Sequence, residues 1–326
     1  MTEDYVNQEM SDEALFSFVQ PDTGAAEHID TPGDSYWRSV WRVFCRKKSN
    51  LFLLVLLGVL LLFAYLYPTV IGYDAAVDPY IHLLDPTAKH LRPREAMEKF
   101  GSNLHWILGT GASGQSTFDA VWYGARISVS LALVCAAINL TVGVLVGAVW
   151  GFSKKVDIFM TEVYNICANV PYILIVSVVV MILSSGFFSM VFALTVTGWL
   201  SIAWFIRTQV ILLRDREYNL ASRCLGTKTA RIAVRNILPF LTSVIVTLAA
   251  AEIPSYISYE VFLSYIGLGL QEMSLGRLIE GAQSAMFTPG WELEFWSPVA
   301  VSSVITVVLY VVGQNLGDAS DPRTHL

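Results

Sequence analysis

Six apolar runs organise this chain, near residues 50–71, 127–151, 157–183, 187–213, 239–264 and 296–316. A helix needs about 20 such residues to cross a hydrocarbon layer about 30 Å thick. The third and fourth runs are separated only by the uncharged turn Ser184-Ser185-Gly186. The pattern predicts an all-α integral membrane protein with six transmembrane helices.

The positions of Lys and Arg between the runs set an orientation. Arg38, Arg42, Arg46, Lys47 and Lys48 precede the first run, and Lys154 and Lys155 stand between the second and third. Arg214, Arg216, Arg223, Lys228, Arg231 and Arg235 stand between the fourth and fifth. Loop 265–295, by contrast, has only Arg277. Short basic flanks stay in the cytoplasm, so both termini are expected there, in a multi-pass protein of the cell membrane. The basic residues of 72–125 weigh little, because long loops cross regardless of charge.

Just before the first run, Trp37, Val40, Trp41 and Phe44 share one helical face, with Arg38, Arg42 and Arg46 elsewhere. Such a helix can lie among the headgroups of the membrane lipid. It can equally continue the first span downward.

Composition agrees with a membrane protein: 54% of residues are hydrophobic and 15% charged, against about 25% charged in soluble domains. The net charge of −6 comes from the head of the chain, where 1–34 holds nine Asp or Glu and no Lys or Arg. That head reads as a disordered acidic tail rather than a signal peptide. The expected order is the tail 1–34, an interfacial helix 35–49, the first transmembrane helix 50–71 and an extracellular segment 72–125. A five-helix core 126–317 follows, and 318–326 form a cytoplasmic C-terminus. Cys45, Cys135, Cys167 and Cys224 have no CxxC partner, so neither a disulfide framework nor a metal site is expected. His105, beside Trp106, also gives no reason to invoke a metal.

The cytoplasmic loop 214–239, within the core, is more than a connector. Tyr218, Ala221, Ser222 and Leu225 recur at i, i+3, i+4 and i+7, a face of mostly small side chains. Gly226 stands where a helix end favours positive φ, and Thr227 can cap a second helix. Lys228, Arg231 and Arg235 line one side of that helix, a stripe suited to orientation and lipid headgroups. Pro239 would open the fifth span, where its missing N–H costs little. Small side chains let a helix approach another surface closely.

The loop resembles the "EAA" loop of ABC importer permeases, E-A-A-x3-G, nine residues, then I-x-L-P. Here it reads Leu220-Ala221-Ser222, Gly226, Asn236 and Leu238-Pro239. Tyr123-Gly124-Ala125-Arg126-Ile127-Ser128 is similar to an entry motif of the oligopeptide/dipeptide permeases, C-type subunit. So are Gly198-Trp199 with Arg207, Glu260 with Leu263-Ser264-Tyr265-Ile266-Gly267-Leu268-Gly269, and Asn315-Leu316-Gly317-Asp318 with Asp321-Pro322-Arg323. The likeness runs in order from about Ser35 to the C-terminus.

The resemblance implies a type I ABC importer transmembrane fold with a cytoplasmic coupling helix. Tyr218, Leu220, Ala221, Ser222, Leu225, Gly226, Leu238 and Pro239 would then meet an ATPase. It further implies a second, homologous permease, two cytoplasmic ATPase subunits carrying ATP and Mg, and an extracytoplasmic peptide-binding protein; no nucleic-acid partner is expected. This chain has no GxxxxGK[ST] of its own, so an enzyme is not expected either. Two departures stand out. The family's external "GTDxxGRD" appears as the uncharged Gly109-Thr110-Gly111-Ala112-Ser113-Gly114-Gln115-Ser116, and Trp204 stands where Arg is frequent.

Glu252 falls near mid-bilayer, where a bare carboxylate costs at least about 2.5–3.5 kcal/mol. Pro254 follows, then Tyr256, Tyr259 and Glu260. This group is a candidate translocation path. Glu252 can hold a peptide's amino end or backbone, or it can be structural, hydrogen-bonded to a neighbouring helix. Nickel or glutathione import is the alternative within the class. A stand-alone channel has no use for a docking helix, and an intramembrane enzyme lacks a catalytic set.

Overall fold

A computed structural model describes residues 36–75, 85–183 and 186–321. The acidic tail 1–34, Pro79, the Ser184-Ser185 turn and the Pro322-Arg323 motif therefore lie outside the described residues. Two compact units divide the chain, Met1–Ser39 and Val40–Leu326. Of the first, only Tyr36–Ser39 is described, the opening turn of helix α1, Tyr36–Arg46.

The described residues are helical, and five helices are long and apolar enough to cross a membrane: Lys48–Val70, Thr117–Phe152, Phe187–Arg214, Arg235–Tyr265 and Glu292–Ala319. The third expected span, 157–183, is bent rather than straight, and counted as one broken span it makes the sixth. It consists of α5, Lys154–Ala168, and α6, Tyr172–Leu183, bent by 80° about a short break. Pro171 sits at that break. It brings no N–H to the helix ladder, and it disfavours helical geometry at the preceding Val170.

The second span, α4, Thr117–Phe152, begins ten residues before the apolar run. Ser116 is its N-cap, the Asp119 N–H donating to Ser116 Oγ, so a local polar signal outreaches hydrophobicity. The last residues of the expected segment 72–125 are therefore helical from Thr117 onward. Asp119, buried there, accepts from Tyr67 OH at 2.6 Å and lies 2.7 Å from His105 Nδ1. His105 is thus a structural partner of the first span. The first span itself is separated from α1 by extended backbone at Lys47, and Asn50 Nδ2 donates to the Phe44 carbonyl. The helix before the first span is therefore not its simple continuation.

Three glycines bring α4 against α8, Trp199–Arg214. A Cβ at Gly143 would stand 2.7 Å from Ile202, one at Gly147 2.5 Å from the Ala203 carbonyl oxygen, and one at Gly151 2.7 Å from Val210. Spaced at i, i+4 and i+8, they form the small-residue seam by which membrane helices approach closely. Gly147→Leu is expected to destabilise the fold by about 1–3 kcal/mol, as overpacking does. It should lower the thermal midpoint in detergent; an unchanged midpoint would contradict the seam.

The uncharged segment 109–116 needs no ion pair of its own. The Ala112 N–H donates to Glu294 Oε1 at 2.7 Å, and Glu294 Oε2 lies 2.8 Å from His90 Nδ1. His90 in turn stacks on Trp291 at 3.8 Å. The anchoring charge is supplied by α13, Glu292–Ala319.

Candidate functional site

Two features gather the chemistry-bearing residues: a polar elbow between the fourth and fifth spans, and a cleft beside the bend in the third.

The elbow opens with α9, Glu217–Cys224. It ends as anticipated at Gly226, whose φ is +80°. The Thr227 N–H donates to the Ser222 carbonyl and the Gly226 N–H to that of Arg223, the paired bonds of a Schellman ending. A next helix begins at Thr229, with the Lys228 carbonyl as first acceptor, so Thr227 does not cap it. The basic segment is also not a separate helix followed by Pro239. One helical path runs on through a π turn, Ala233–Ile237, and a 3-10 turn, Leu238–Leu241, into α11, Thr242–Tyr265. The π turn widens the ladder ahead of Pro239, whose ring would crowd an α-helical carbonyl four residues earlier. The fifth span therefore starts at Arg235 rather than 239.

On the elbow's surface Tyr218, Leu220 and Ala221 are exposed, and Leu225 is 87% exposed. Phe240, also exposed, has its ring 6.1 Å from that of Tyr218. Ser222 departs from the expected outward face. It is half-buried, and its Oγ lies 3.4 Å from Asn236 Nδ2. Asn236 also donates to Asn219 Oδ1 at 3.1 Å, while Asn219, fully buried, donates to the Leu213 carbonyl at 2.9 Å. Sequence reasoning missed this Asn219–Asn236 clamp, although Asn236 at an isoleucine position was the signal. Exposed apolar side chains thus sit on a helix held from behind by the buried Asn219 and the half-buried Asn236.

The cleft, 360 Å³ in volume, opens at the Val170-Pro171 break. Tyr164, Tyr172, Tyr256, Tyr259, Thr197, Cys167 and Glu252 are among its lining residues. Glu252 lies close to the middle of the Arg235–Tyr265 span, half-buried, and interacts with Tyr256 four residues along the same helix. Tyr256 OH also accepts from Asn139 Nδ2 at 2.6 Å, and Asn139 holds the Leu194 carbonyl at 3.1 Å. Tyr172 OH donates to that same carbonyl at 2.7 Å. Spans two, four and five and the bent helix α6 are pinned together behind the cleft.

Three of the four residues expected on a path therefore meet here. The fourth, Glu260, does not. It is fully buried away from the cleft, accepting from Ser128 Oγ at 2.8 Å, Ser264 Oγ at 3.0 Å and Ser274 Oγ at 2.6 Å. These hydroxyls tie the short helix Leu275–Gly281 to the second and fifth spans. Burial of a carboxylate is tolerable only with such donors.

Behind the cleft, Trp204 stacks on Tyr164 at 4.5 Å, and the Arg207 guanidinium lies over Trp204 at 4.6 Å. Arg207 Nε donates to Asp157 Oδ1 at 2.5 Å, which also accepts from Trp150 Nε1 at 2.9 Å. Trp204, at an arginine position of the family, thus adds an aromatic layer between the ion pair and the cleft.

The profile of the family described as "Binding-protein-dependent transport system inner membrane component" matches residues 140–326, which contain both the elbow and most of the cleft. The chain belongs to this family of transport permeases. A second profile, "N-terminal TM domain of oligopeptide transport permease C", matches residues 35–86 of the permease. Over 316 residues, 96% of this chain and 98% of the relative, the permease is 44% identical to the oligopeptide transport system permease protein AmiD of Streptococcus pneumoniae. It is 30% identical over 312 residues to OppC, the oligopeptide transport system permease protein of Bacillus subtilis, covering 95% and 97% of the two chains. It is 31% identical over 320 residues to the dipeptide transport system permease protein DppC of the same organism, covering 94% and 92%.

Proposed function

We propose that this permease is one membrane subunit of an ATP-driven peptide importer. It pairs with a second, homologous permease, and two cytoplasmic ATPase subunits that carry ATP and Mg drive the pair. An extracytoplasmic binding protein delivers the peptide. The exposed patch of Tyr218, Leu220, Ala221 and Leu225 on a clamped helix carries the reading. Apolar side chains standing out of a rigid polar elbow fit a groove on a partner better than they fit water. Both termini and the elbow lie in the cytoplasm, in keeping with the basic flanks.

Closure of the ATPases on nucleotide would move α9. The Asn219–Asn236 hydrogen bond ties α9 to the continuous helical path that leads into the span carrying Glu252, so that movement reaches the cleft, which serves as part of the peptide's path. Peptide as cargo rests on the similarity, almost end to end, to oligopeptide and dipeptide permeases.

Copurification tests the assembly. Tagged protein from native membranes should bring down a second permease and two ATPase subunits. Isolation alone, with passive flux in vesicles, would sink the proposal and favour a channel.

A further inference from the structure

Glu252 stands in a cleft that offers it no cation. Among the described residues it makes no ion pair, and no Lys, Arg or His lines the cavity. The side chain that interacts with it, Tyr256, lies four residues along its own helix. Four tyrosines line the same cavity, as does Thr197, whose buried Oγ1 has no hydrogen-bond partner among the described residues. A half-buried carboxylate costs free energy unless something offsets it. Acidic, aromatic and hydroxyl-lined, the cavity is complementary to a compact cation with several N–H donors.

We infer that Glu252, with Thr197 and the cleft tyrosines, binds the protonated primary amine of the substrate, which for a peptide is first of all its amino terminus. The inference rests on the reading of the cleft as part of the path. An ammonium presents three donors. Glu252 and the free Thr197 oxygen accept two of them, and the tyrosine rings face the remaining positive surface. Recognition at this point would favour amine-first entry and would leave the peptide's side chains unread, as suits a broad cargo.

Cys167 lines the same cleft with a free thiol, and this supplies a readout independent of any binding protein. In the assembled transporter in proteoliposomes, with Cys45→Ser, Cys135→Ala and Cys224→Ser, maleimide labelling of Cys167 would be followed against three probes. These are an uncharged pentapeptide with a free amino terminus, its N-acetyl form, and the N-acetyl form carrying one lysine. The free peptide should protect Cys167, and acetylation should raise the half-protecting concentration about tenfold, the scale of one charge-assisted hydrogen bond.

Recovery with the lysine probe would show that a side-chain ammonium also fits; no recovery would assign the site to the α-amino group. Glu252→Gln should abolish the preference for the free amine, and Glu252→Asp should keep it. Equal protection by free and acetylated peptide, or a preference that survives Glu252→Gln, overturns the inference while leaving the path intact. If no peptide protects Cys167, the path reading itself fails. Should Glu252→Gln not insert, the wild-type and Glu252→Asp comparisons decide alone, and equal protection there overturns the inference.

Discussion

Leu225→Asp should abolish transport while leaving the protein folded and inserted. Leu225 is 87% exposed at the end of α9, so little packing within the chain is lost, and the fold should change by no more than about 0.5 kcal/mol. In a docked complex the same side chain would be an apolar anchor. Placing a carboxylate there removes the anchor and strands a charge without water, together about 2 kcal/mol or more. ATPase recruitment should then weaken at least about thirtyfold. Ala221→Trp should act similarly by bulk, whereas Lys228→Ala should change transport little, its role being with headgroups. The measurements are uptake in vesicles and the amount of ATPase retained on the purified permease. Normal uptake with Leu225→Asp would remove the exposed patch from the account.

The largest effect on stability is expected at Asp157. Its Oδ1 takes hydrogen bonds from Arg207, Trp150 and Thr161. Trp150 is fully buried, and the Arg207 side chain is only 17% exposed. Asp157→Ala leaves the guanidinium and the indole N–H without their acceptor. Removing one partner of a fully buried pair costs about 3–5 kcal/mol. Partial solvent access here reduces this to about 2 kcal/mol. The thermal midpoint in detergent should fall by several degrees. Asp157→Ala with Arg207→Met should be less destabilised than Asp157→Ala alone, because the stranded charge is gone. A strictly additive double variant would show that the ion pair does not couple α5 to α8.

The contrast between these two sites shows what the sequence makes legible. Spans appear because about 20 apolar residues in a row have few other uses, and Gly226 reads as a helix end because few residues tolerate its φ. Pro171 was visible too, yet within a continuous apolar run its break does not disturb hydropathy. The early start of α4 hid behind polar residues such as Asp119 and Arg126, which a hydropathy threshold excludes but a helix accepts. Side-chain pairings between distant segments were not legible. Glu260 with Ser128 and Ser274, Asn236 with Asn219, and Trp204 with Tyr164 join residues far apart in the chain, and only packing brings them together. Glu252 and Glu260 lie eight residues apart on one helix. One faces a cleft and the other a ring of hydroxyls, a difference set by their neighbours.

Everything turns on whether a separate motor grips the elbow, and Cys224 provides the direct measurement. Its thiol is exposed on α9. A short thiol-to-amine cross-linker applied to native membranes from the cytoplasmic side should join this chain to a nucleotide-hydrolysing subunit, with a yield that changes when ATP is trapped. A Cys224 that reacts only with reagents applied from outside the cell, or never yields such an adduct, would contradict the account.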